Sequence, residues 1–154
     1  MVVKNRIVTA AALAVLVAGC ASGGPSGREV LTGSIAPEKS RIVIYRPSVV
    51  GFAVQPSYMV DGKAVAAGAP QGFIVRDVAP GPHQLAVDNT QLNVSFGSGS
   101  DQAKLDLKPG ETAYYKAEIQ MGLTVGHVTP TQVTEAQGEV DTADLSKVNA
   151  ACGV

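Results

Sequence analysis

Few side chains in this sequence are able to do chemistry, and they are scattered. His83 and His127 stand far apart, and neither sits in a metal-ligand spacing such as H-x-x-x-H or H-E-x-x-H. His83 follows a Pro-Gly-Pro turn, where its ring could satisfy backbone groups or, alternatively, contribute to a ligand site. His127 shares the parity of Leu123 and Val125 and reads as a strand-end residue. Arg46, between Tyr45 and Pro47, could hold a carboxylate from Asp61, Asp77 or Glu111 in a bidentate pair that locks a sheet edge, or receive an anionic ligand. Tyr114 falls on the outward parity of its segment with Lys116 and Glu118. It would join an exposed Tyr58 in a contact patch or simply cover the sheet. Arg46, His83 and Tyr114 are thus the candidate ligand or partner contacts. No G-x-S-x-G, phosphate-loop, dinucleotide-binding or paired C-x-x-C pattern occurs, and Phe96 to Ser100 lacks the Lys that a phosphate loop needs. No catalytic set, metal or cofactor is expected.

The sharpest chemical signal lies near the start. Lys4 and Arg6 form a short positive region without acidic neighbours, and Ile7 to Val17 is apolar or small. At about 11 residues that run falls well short of the roughly 20 needed to span a bilayer, and it has the size of a signal-peptide core. Leu16-Val17-Ala18-Gly19-Cys20 follows, resembling the lipobox at which signal peptidase II cuts, here between Gly19 and Cys20. Small residues let an extended chain enter a narrow protease site, and the Cys20 thiolate is the group that takes the lipid. The expectation is a lipidated Cys20 anchoring the chain to a membrane, since three acyl chains exceed what stable anchoring requires. Ala21 rather than Asp after the cysteine favours the outer membrane, facing the periplasm, in a Gram-negative host. An ordinary secretory signal with a chance cysteine is the competing reading. With Cys20 acylated, Cys152 has no partner within the chain and is either an inert tail residue or a cross-linking thiol.

The elements that must position these residues read as strands. The 154 residues allow one domain; hydrophobic content is 45%, aromatic content 5%, and 17 Gly and 9 Pro punctuate Val, Leu and Ile. Removing Lys4 and Arg6 leaves 10 basic against 13 acidic residues, a balance that gives nucleic-acid binding little support. Residues 1–19 are expected to be the signal peptide, 20–39 a lipidated cysteine and flexible linker, 40–128 a β-sandwich and 129–154 a partly helical tail. Within the domain, Ile42 and Ile44 share one face; Tyr58 and Val60 precede an Asp61-Gly62 hairpin turn; residues 64–67 return. Phe73 to Val78 is a strand closed by Pro80-Gly81-Pro82, with positive φ expected at Gly81. Alternation continues with Leu85 and Val87, with Leu92, Val94 and Phe96, and with Leu105 and Leu107. Ala113, Tyr115, Ala117, Ile119 and Met121 share a face of the clearest strand, and residues 123–128 form a last one. Seven or eight short antiparallel strands with regular turns indicate an all-β sandwich. Residues 131–137 and 141–150 are weakly helical, the second with Asp141 as N-cap and Leu145 and Val148 on one face, so one short helix or a frayed tail is expected.

Four motifs in order carry a family resemblance: Tyr45-Arg46-Pro47, Asp61-Gly62-Lys63, Pro80-Gly81 with His83, and Gly110-Glu111 with Tyr114-Tyr115. Behind a lipobox, and over roughly residues 41–126, the chain resembles the bacterial domain-of-unknown-function family 2846 and is similar to PEGA-type surface domains. That resemblance implies a small β-sandwich and brings no catalytic residues. The function expected is a non-enzymatic envelope module, held to the membrane by its lipid and contacting another envelope protein or a cell-wall polymer. The alternative is a periplasmic carrier of a small ligand or metal using His83, His127 and nearby acids.

Overall fold

The computed structural model describes residues 23–52, 55–88, 101–121 and 126–149. Its elements are α1 (Gly27–Val30), β1 (Ser40–Arg46), β2 (Ser57–Val60), β3 (Lys63–Ala67), β4 (Gly72–Val78), β5 (Gly81–Asp88), β6 (Asp101–Leu107), β7 (Thr112–Met121), β8 (Gly126–Val133), α2 (Glu135–Thr142) and β9 (Ser146–Lys147). Two sheets face each other as an all-β sandwich, ordered β8-β7-β1-β4-β9 and β3-β2-β5-β6.

The turns form where the sequence supplies the right residues. Asp61 and Gly62 both take positive φ, 52° and 74°, the requirement of the tight turn between β2 and β3. Gly81 at φ 120° turns the chain from one sheet into the other, so β4 and β5 are neighbours in sequence but lie in different sheets. Between the sheets, Ile42, Ile44, Tyr58, Val60, Leu85, Val87, Leu105, Leu107, Ala113 and Tyr115 form the inner core. Each fully buried large aliphatic there stabilises the fold by roughly 1.5–3 kcal/mol before entropy is counted.

Pairing is not wholly antiparallel. β1 runs parallel to β7, with Ile42 opposite Ala113, and β4 runs parallel to β9. A parallel pair needs a long crossover, and here the whole second sheet supplies it between β1 and β7. β8 is an edge strand, which accommodates Pro130 opposite Ala117. The expected strand around Leu92, Val94 and Phe96, and the loop after it, lie outside the described residues.

Both ends of the chain differ from expectation. Residues 131–133 extend β8, and the helix begins at Glu135 with the Thr134 hydroxyl accepting from the Gln137 backbone N–H at 3.3 Å. Asp141 is therefore not an N-cap. It lies in the last turn of α2, where its carboxylate accepts from the Tyr45 hydroxyl at 2.7 Å. Leu145 and Val148 do not share a helix face: they flank β9 and enter different cores. The linker is also partly folded. Ser26 bridges to Ser146, the Lys147 backbone N–H donates to the Pro25 carbonyl at 2.9 Å, and a Cβ on Gly24 would collide with the Lys147 carbonyl. Val30 and Leu31 pack with Val43, Tyr45, Phe73, Tyr114 and Leu145 in a second core, on the outer face of the five-stranded sheet.

Candidate functional site

The three candidate contact residues do not converge. Arg46 is fully buried at the end of β1, and its guanidinium donates to the carbonyls of Gly68 at 3.0 Å, Val50 at 2.7 Å and Gly51 at 2.7 Å. The carboxylates proposed for it are engaged elsewhere. Asp77 holds Arg41 in a bidentate pair at 2.7 and 3.1 Å, Asp61 takes His83, and Glu111 accepts from the Lys108 backbone N–H. Arg46 thus shapes the loop after β1 through carbonyls, which a guanidinium with five donors satisfies well.

Tyr114 is buried rather than exposed, because α2 lies across it. Gly138 sits directly over its ring, where any Cβ would clash. Tyr58 is likewise buried, in the inner core, so the proposed aromatic surface patch does not form. Alternation places Tyr114 on the outer face of β7, but a layer that β7's own pattern does not announce covers that face.

His83 is the one candidate at the surface with groups around it. Its Nδ1 lies 2.7 Å from Asp61 Oδ2, and its Nε2 lies 2.7 Å from the Ala79 carbonyl. The other Asp61 oxygen accepts from the Gln84 backbone N–H at 3.0 Å. The imidazole thus pins the β2–β3 hairpin to the crossover between the sheets. With acceptors at both nitrogens, the doubly protonated ring makes two donations. Burial pushes its pKa down, but the Ala79 carbonyl and then the Asp61 carboxylate outweigh that and hold it above the ordinary histidine value. Burial raises the Asp61 carboxyl, yet the Gln84 N–H and His83 together bring it below its usual range.

Beside this pair runs a groove of about 500 Å³ between Lys63, Ala64 and Val65 of β3 and Arg76, Asp77 and Val78 of β4. A smaller hollow of about 200 Å³ continues it along Ile74, Val75, Lys147 and Val148, sharing Val65 and Arg76. Two strand edges meet there. β3 is the edge of its sheet, and β9 covers β4 only at Gly72 and Phe73. Lys39, Lys63, Arg76 and Lys147 line the seam, whereas its acids Asp61 and Asp77 are already held by His83 and Arg41. The seam can therefore offer backbone donors and acceptors together with positive charge. Among the described residues, no group of three His, Cys, Asp or Glu side chains could hold a metal ion. The side chain of His127, Cys20 and Cys152 lie outside the described residues.

Each motif that carried the family resemblance has a structural task. Tyr45 and Tyr114 fill the outer core, Arg46 braces a loop, Asp61 meets His83, and Gly110 at φ 76° closes the turn that Glu111 caps. The signal for the seam itself was missed, since it depends on which two strands become edges, and a single sequence does not declare that. An uncharacterized protein of Haemophilus influenzae is similar to this chain, 27% identical over 122 residues that cover 75% of this chain and 64% of the relative. The chain therefore spans less than two thirds of that relative's length. The profile of the family described as "Protein of unknown function (DUF2846)" matches residues 36–130, well over half of the sequence and nearly the whole sandwich. The chain belongs to the DUF2846 family.

Proposed function

We propose that this protein is a membrane-anchored envelope lipoprotein whose β-sandwich is a non-enzymatic contact module of the PEGA-like surface type. The observation that carries the reading is where the fold starts. Gly24, four residues after Cys20, is already packed against Lys147, so a lipobox at Leu16 to Cys20 would release a chain whose described fold begins within a few residues of its new N-terminus. Cleavage before Cys20 removes the apolar leader and leaves the sandwich whole. The anchor then stands directly beside the domain, not at the end of a long tether.

The partner is another envelope protein or a cell-wall polymer, bound along the β3–β4 seam. Two strand edges favour an extended chain, and the four cations favour an acidic one. A metal or small-ligand carrier draws no support from His83, whose two ring nitrogens are both hydrogen-bonded within the fold.

The test has two arms. Cys20→Ser should abolish lipid labelling and move the protein from membrane to soluble fractions; retention in membranes would contradict the anchor. A photo-crosslinking residue at Val65 in the seam should yield a discrete, reproducible adduct in living cells, and one at exposed Glu135 should not. Equal, diffuse labelling from both positions would remove the seam as the contact site.

A further inference from the structure

One end of the sandwich carries an apolar surface that leaves large side chains exposed among the described residues. Among the described residues, the large hydrophobic side chains left exposed are Val49 (56%), Val50 (58%), Phe52 (74%) and Val140 (73%). The first three project from the loop after β1, within a stretch, residues 47–56, that contains no charged residue. This loop has an imposed shape. The buried Arg46 guanidinium holds the Val50 and Gly51 carbonyls, the Ser48 hydroxyl accepts from the Val50 N–H at 3.0 Å, and Gly51 turns the chain at φ 67°. A fully buried cation is therefore committed to presenting two valines and a phenylalanine to the outside. Val140 precedes Asp141, which accepts from Tyr45 next to Arg46, and so lies toward the same end.

The N-terminal chain reaches the domain there too. Arg46 pairs with Gly72, Gly72 with Ser146, and Ser146 with Ser26. Three strand spacings, about 15 Å, separate the loop's base from Ser26. From Gly24 back to Cys20 is four residues, a reach of at most about 14 Å even when fully extended. We infer that this end of the sandwich is a bilayer-contacting surface: Val49, Val50 and Phe52 sit in the lipid interface beside the acylated Cys20. The acyl chains supply the affinity, and the loop fixes how the domain stands on the membrane, which leaves the β3–β4 seam free at its side. This inference rests on the lipid anchor proposed above. A large exposed apolar patch held against a bilayer by so short a connection is covered by lipid, because that removes it from water without a further partner.

The chain contains no Trp, so Phe52→Trp in the full-length, processed protein provides a single reporter at an exposed position. Reconstituted into phosphatidylethanolamine/phosphatidylglycerol vesicles, Trp emission should move to shorter wavelength, and brominated acyl chains should quench most of it. Lys104→Trp, on the exposed face of β6, should keep a water-like emission that brominated lipids leave unchanged. Flotation of the same samples reports the anchor separately. Protein that floats with vesicles while the Phe52→Trp emission stays water-like would overturn the loop inference and leave the anchor standing. Emission that shifts without bromolipid quenching would mean that protein, a second copy or a partner, covers the loop, and would also overturn it. Failure to float, with no lipid on Cys20, would overturn both.

Discussion

The inner and outer cores are built by different rules, although they share one sheet. The inner core gathers side chains of strict alternation from both sheets: Ile42 and Ile44 of β1, Leu85 and Val87 of β5, Leu105 and Leu107 of β6. The outer core takes the opposite parity of the five-stranded sheet, Val43 and Tyr45 of β1 and Tyr114 of β7, and closes over it with α1, α2 and Leu145. One is made by strands that specify one another. The other depends on short segments from the two ends of the chain, held by few contacts each. Stability should therefore be concentrated between the sheets, and the outer layer should open first.

Leu85→Ala should have the largest effect, a loss of about 3–4 kcal/mol, because the residue is fully buried between the sheets. Urea unfolding should remain a single transition in which sheet and helix signals are lost together. Gly138→Ala should remove about 2 kcal/mol, since the new Cβ meets the Tyr114 ring and overpacking outweighs the gain of roughly 1 kcal/mol in helix propensity. In a Tyr114→Ala background the same change should become neutral or stabilising, a coupling that a double-mutant cycle reads directly. Native-state hydrogen exchange of the unsubstituted protein should show α2 opening at a lower free energy than the inner strands. Equal opening free energies in both regions would erase the distinction between the cores.

Tyr45→Phe should remove about 1 kcal/mol, read as a lower midpoint of urea unfolding, by deleting the hydroxyl donated to Asp141. The smallest effect belongs to the surface pin. The raised His83 pKa means that its contribution is complete below the ordinary value of 6.5 and fades as pH rises through the folded-state value. The advantage of the native protein over His83→Gln should therefore be greatest near pH 5.5 and diminish toward pH 8. It should be about 0.5–1 kcal/mol, because Asp61 is nearly half exposed and solvent weakens the pair. In stronger acid the depressed Asp61 carboxyl protonates and the pair is lost from the other side. A flat difference across pH 5–8 would show that His83 acts only by its shape.

The same contrast explains what was legible in the sequence. Alternation located the strands of the inner core and the turns at Asp61-Gly62 and Pro109-Gly110, because period-two burial and positive φ leave local marks. The outer core left a fainter mark. Ile42 to Tyr45 is apolar at every position, the pattern of a strand buried on both faces, and it signals a second layer without naming what supplies it. Alternation alone therefore sets Tyr114 on an outward face without the helix that covers it. Gly138 and Thr142 carry no hydrophobic label, yet both are buried where α2 packs on the sheet. Arg46 stands out in the sequence between Tyr45 and Pro47, but its carbonyl partners come from loop backbone that no side-chain pattern encodes. The seam was invisible because edges follow from strand order, which is a property of the whole topology.

The proposed role at a bilayer depends on the chemical state of residue 20. Intact-mass and N-terminal peptide analysis of protein purified from its native membranes should find a chain that starts at Cys20 and carries a thioether-linked diacylglycerol with an additional amide-linked acyl group. A chain that keeps its leader, starts at another residue, or bears an unmodified thiol at Cys20 would contradict the account.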